Sequence, residues 1–210
     1  MSITTKEYNS FQKAYDFFNG ELFSSSLPEV LITLQRKSNT RGYFSEKRFN
    51  GRVKESVAHE LAMNPDMFKE RTDEEILSTL VHEMAHVWQH CFGDPSRGRY
   101  HNREWANKMK TLGLQPSSTG QPGGKETGQR VSHYIISGGA YAQSYTKLAS
   151  GGFKLSWNSR KPDSKRRESK NKFTCSTCGQ NAWAKPDASL VCGHCQIEMK
   201  SAAELTGVIL

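Results

Sequence analysis

The stretch 79-TLVHEMAHVWQH-90 decides how this chain is read. It places His82 and His86 four residues apart, with Glu83 directly after the first histidine. Residues i and i+4 share one face of an α-helix, so both imidazoles can reach a single metal ion. The helix pitch turns Glu83 about 100° away from His82, which sets its carboxylate beside such an ion rather than among its ligands. A base that takes a proton from metal-bound water needs that position. The competing reading is an amphipathic helix that happens to carry histidines.

The flanks favour a real, buried helix. Thr72 or Asp73 can cap its start, and Glu74 and Glu75 fall in the first turn, where the helix dipole favours anions. Ile76, Leu77, Leu80, Val81, Met84, Val87, Trp88 and Phe92 form one apolar stripe beside the histidines, and Gly93, Asp94 and Pro95 end it. A second helix is expected over 102–114, capped by Asn102. Upstream, apolar residues at three- and four-residue steps predict a helix over 5–20, with Gly20 as its stop. Three strand-like runs follow at 29–36, 41–49 and 56–64. The expectation is an α+β domain over residues 1–115, with a small antiparallel-type sheet packed on helices that carry the histidine site. Residues 116–172 read as a Pro/Gly/Ser-rich linker, two β-rich pieces of unassigned placement (VSHYII and FKLSW), and a basic arm.

A catalytic zinc takes three protein ligands and keeps one position for water. The metzincin spacing is absent, because position 89 is Gln and position 92 is Phe. His101 and Glu104, just downstream, are the two candidates for the third ligand. Other residues nearby receive quieter roles. His90 is expected on the surface or behind the ligands, and His59 in a strand without a metal role. Cys91 is expected as a small buried hydrophobe, with Trp88 and Trp105 in core packing. His133 and Tyr134 read as strand residues, although either can be imagined as an oxyanion stabiliser.

Four of the five cysteines lie in 175-CSTCGQNAWAKPDASLVCGHC-195. Two CxxC pairs separated by 13 residues offer Cys175, Cys178, Cys192 and Cys195 to one tetrahedral zinc. Gly179 and Gly193 are the expected tight-turn positions. Four thiolates leave no open site, so this second zinc is structural. A module of 173–199 is too small to bury its own core, so the metal supplies its folding energy.

The charge divides unevenly. Residues 1–115 carry 16 Lys+Arg and 15 Asp+Glu, whereas 116–210 carry 13 and 6. The arm 160–172 alone holds seven Lys+Arg and two acids. Such a tail favours nucleic acid or another polyanion, or else is a solvated surface. The N-terminus shows no signal-peptide pattern, and no run approaches the about 18 apolar residues of a membrane span. An intracellular protein without a membrane role is therefore expected: cytoplasmic, near the nucleoid in a bacterium or phage, or nuclear in a eukaryote.

The run HEMAHVWQHCFGDPSRGRYHNREWANKM, with AYDFFNGELF near the start, HELAMNP before the helix and the CxxC pairs, resembles the SprT-like (Spartan-like) zinc metalloproteases. The resemblance covers about residues 5–115 and 173–197. It implies a zinc-dependent endopeptidase whose relatives act on proteins attached to DNA, with His101 rather than Glu104 as third ligand. Glu83 would then be the general base of peptide-bond hydrolysis. The rival readings are a non-enzymatic DNA-binding protein that keeps the histidine site for structure, and a narrow regulatory protease with no DNA role.

Overall fold

The computed structural model describes residues 2–53, 55–157, 159, 170–201 and 204. The chain divides at residue 160 into two compact units. Most of the basic arm, 160–169, lies outside the described residues.

The first unit begins with α1 (Ile3–Phe23), then β1 (Val30–Leu34), β2 (Gly42–Asn50) and β3 (Val57–Met63). Its second half holds α2 (Asp73–Phe92), α3 (Arg103–Thr111), β4 (Leu114–Ser117), β5 (Ser132–Ile135) and α4 (Ala140–Ser150). Gly20 does not stop α1. The helix runs three residues further because Phe23 is buried in the core, and Ser24 ends it in a left-handed conformation (φ 55°).

The first sheet is mixed rather than antiparallel, with strand order β1-β3-β2. The chain reverses once between β1 and β2 and again between β2 and β3. β3 therefore runs parallel to β1 when it inserts between them, pairing Val30 with His59 and Leu34 with Met63. It pairs antiparallel with β2, Gly42 facing Met63 and Asn50 facing Val57, with a register shift between Ser45 and Phe49. β2 is left as an edge strand, and α2 packs against it and β3.

The start of α2 follows its sequence signal closely. Thr72 and Glu75 form a reciprocal capping box, and Asp73, Glu74 and Glu75 occupy the first turn. Phe11, Tyr15 and Phe18 of α1, Leu61 and Met63 of β3, Leu77, Leu80 and Met84 of α2, and Trp105 and Met109 of α3 share one core. Trp105 is fully buried, as expected; Cys91, expected inside, is exposed.

The first unit extends well past the expected boundary at 115. Leu114, Val131, Tyr141 and Leu155 join its core, so the segment after α3 completes the domain rather than linking it onward. β4 and β5 form a hairpin that pairs Leu114 with Ile135 and Pro116 with His133. The Gly- and Tyr-rich stretch after it is α4, which packs on α1.

The second unit is a three-stranded sheet in the order β7-β6-β8, made of β6 (Asn171–Thr174), β7 (Asn181–Ala184) and β8 (Lys200–Ser201). Its small core is Phe173, Cys175, Cys192 and Met199.

Candidate metal centres

His82 and His86 lie one turn apart on α2, and His101 stands immediately before Asn102, the N-cap of α3. Their three ligand atoms lie within 4.8 Å of one another. His86 Nε2 and His101 Nε2 are 3.2 Å apart. Two nitrogens on a tetrahedral zinc, each about 2.0–2.1 Å from the metal, would be separated by about 3.3–3.4 Å, so this pair is spaced close to what that ion requires. His101 is held by main-chain bridging to Gly128 in both directions, and its Nδ1 is 3.0 Å from the same carbonyl, which leaves Nε2 for the metal. Trp105 packs against all three rings and stacks on His86 at 5.1 Å. Burial pulls His86 down to about 3, His101 below its ordinary value and His82 well below its own. Neutral imidazole is the form that ligates.

Glu104, the alternative third ligand, is engaged elsewhere. Its Oε2 accepts from Gln89 Nε2 at 2.7 Å and from the Asp94 amide at 2.8 Å, closing the turn after α2. His59 and His90 are neighbours outside the ligand group: His90 Nδ1 pairs with Glu46 at 2.8 Å, and His59 Nδ1 accepts from the Lys47 amide at 3.0 Å.

Glu83 and the three histidines line one cleft of about 1010 Å³. Burial pushes the Glu83 carboxyl up to about 8, opposed by the Phe44 backbone N–H that donates to it and by the charge of Arg99. Gly42 on β2 makes this approach possible. A Cβ there would meet Ala62 O at 2.8 Å and Glu83 Oε1 at 3.3 Å, so any side chain would push β2 off the carboxylate. Residues 42–46 of β2 form one wall of the cleft, and Arg41, Arg97, Arg99 and Arg130 also line it.

His133, expected as a strand residue, sits against the triad. Its Nδ1 is 3.0 Å from His82 Nδ1, and its Nε2 is 2.9 Å from Ser78 Oγ. The available signal was alternation: Val131, His133 and Ile135 share one side of an apolar strand. A histidine at that position is buried, and a buried histidine needs partners.

In the second unit, Cys175, Cys178, Cys192 and Cys195 bring their sulfurs within 4.8 Å of one another. Cys178 and Cys192 are 3.7 Å apart, against about 3.8 Å for two thiolates on a tetrahedral zinc with bonds of about 2.3 Å. The two knuckles repeat one pattern. The Gly179 amide donates to Cys175 O, and the Gln196 amide donates to Cys192 O. The left-handed residue follows the second cysteine each time: Gly179 at φ 72° and Gln196 at φ 54°. Gly193, expected to turn the second knuckle, is not the left-handed position.

A model of the SprT-like family matches residues 11–123, more than half of the chain. This chain belongs to the SprT-like family. A protein from Salmonella typhimurium, described as an uncharacterized protein in mucB 3'region, is 59% identical over 49 residues. That match covers 23% of this chain and 66% of the relative, just under two thirds of its length. The SprT-like match includes His82, Glu83, His86 and His101. It ends before His133 and before the four cysteines, which are therefore features of this chain beyond the matched region.

Proposed function

We propose that this chain is a zinc-dependent endopeptidase that cuts proteins held on DNA. The observation that carries the reading is the cleft in which three convergent histidines and Glu83 stand side by side. Membership of the SprT-like family supports metalloprotease-like chemistry. His82, His86 and His101 would hold the catalytic zinc, and the four cysteines a structural one. Zinc in the histidine site supplies Lewis acidity, lowering the pKa of a water toward ~7 and polarising a carbonyl. Glu83 takes the proton from the attacking water and hands it to the leaving amine. Its burial makes it a stronger base than an exposed glutamate, which suits the first transfer. The cleft wall formed by β2 is a free sheet edge, to which an extended substrate can add by main-chain hydrogen bonds.

Several charges support a DNA-bound setting. Arg41, Arg97, Arg99 and Arg130 line the cleft and form no ion pair among the described residues, while Glu46 is paired with His90. On the second unit, Lys172 lies across from the exposed Trp183, and Lys200 pairs with Thr174. A basic surface of this kind binds phosphates and releases counterions.

The test of the chemistry is Glu83→Gln. The amide keeps the shape but cannot accept the proton, so cleavage of an unstructured protein substrate should fall by on the order of 10²-fold or more while metal stays bound. Retained cleavage would sink the mechanism. For the partner, DNA affinity across a salt series should fall steeply for the full chain and be largely lost on truncation after residue 160. Equal affinity in the two, or a flat salt response, would favour a protease with no DNA role.

A further inference from the structure

His133 lies outside the SprT-like match, on the two-stranded β4–β5 hairpin. It nevertheless touches α2 twice. Ser78 and His82 are one helical turn apart, and His133 bridges them with its two ring nitrogens. All three side chains are buried.

The direction of the hydrogen bonds follows from the far end of the chain. Ser78 Oγ donates its proton to Glu75 O at 2.8 Å, and a carbonyl can only accept. Ser78 Oγ therefore accepts from His133 Nε2–H. The proton of neutral His133 is then on Nε2, and its Nδ1 carries the lone pair. That lone pair accepts from His82 Nδ1–H. His82 is left with a bare Nε2, the nitrogen a metal needs. Reversing the chain would place the His82 proton on Nε2, where it would block ligation, and would require Ser78 to leave the carbonyl.

We infer that His133 is a positioning residue that fixes the tautomer and the ring orientation of His82, with Ser78 as the anchor of the relay. It does for His82 what the Gly128 carbonyl does for His101. A ligating histidine normally gives its second N–H to a carbonyl, carboxylate or water. Here the acceptor is a neutral imidazole, which adds no negative charge beside the site. The relay also gives the β4–β5 hairpin a purpose: it delivers one residue to the back of the metal-binding helix. The inference rests on the reading that the triad holds zinc.

The measurement is zinc affinity at the histidine site of the full chain, by competition with a chromogenic chelator once the cysteine site is filled. The cobalt(II) absorption of the same site is a second readout. His133→Leu should weaken zinc at the triad by about 10–100-fold and leave the cysteine site unchanged. His133→Asn, whose amide oxygen can stand where Nδ1 stands, should restore affinity to within a few-fold of wild type. Folded His133→Leu that binds zinc as tightly as wild type overturns the inference. If His133→Leu does not fold, nitrogen-15 NMR of the wild-type histidine rings decides. Protonation of His82 on Nδ1 and His133 on Nε2 supports the relay, and the opposite tautomers overturn it. A wild-type chain that takes no zinc at the histidines overturns the metal reading and this inference with it. Equal zinc binding by wild type and His133→Leu overturns this inference alone.

Discussion

The two candidate metal centres are assembled in opposite ways. The cysteine site draws its four ligands from two short knuckles, each closed by its own backbone hydrogen bonds, around a core of only four buried residues. The histidine site takes ligands from α2 and from the approach to α3, with supports at Gly128 and His133, inside a core that spans all four helices. The first would owe its fold to a bound ion, whereas the second is set in a core large enough to stand without one and opens on a cleft. This difference separates structure from chemistry more sharply than ligand type alone. Among the described residues, the histidine group has a carboxylate, Glu83, beside it in a cleft.

The largest effect that breaks or confirms the comparison is metal removal. A strong chelator should unfold the second unit outright, because structural zinc contributes about 10–16 kcal/mol to folding in modules of this size. The first unit should keep its amide-exchange protection in the same experiment. Joint unfolding of both would mean that the histidine site is structural too.

The expected absence of a membrane segment has a narrow counterpart in the structure: no described helix is long and apolar enough to cross a bilayer. More of the site than of the fold was legible in the chain. Helix spacing brings His82, Glu83 and His86 together, and the CxxC pairs are local. Thr72 and Asn102 declare their caps through side chains one turn from the amides they meet. What escaped reading depends on remote partners. The parallel pairing of β1 with β3 is invisible to alternation, which is the same in either direction. Gly20 and Gly193 were overruled, the first by burial of Phe23 and the second by the repeat of knuckle geometry at Gln196. His133 meets His82 across 51 residues of sequence, from a β-rich piece whose partners the sequence does not place.

A smaller effect sharpens the choice of third ligand. His101→Ala should lower metal occupancy of the first unit, whereas Glu104→Ala should leave it intact and cost about 1–3 kcal/mol of stability, because the buried Gln89 loses an acceptor. Titration of metal content and chemical denaturation of the two variants measure both quantities. The reverse occupancy pattern would move the ligand to Glu104.

The claim that two separate zinc sites exist, one of them open for catalysis, is tested most directly by elemental analysis of the purified full chain beside His82→Ala. Two zinc ions per chain are expected in the wild type and one in the variant, with the four-cysteine site still filled. A single zinc in the wild type, unchanged by His82→Ala, would contradict it and leave the cleft without a catalytic metal.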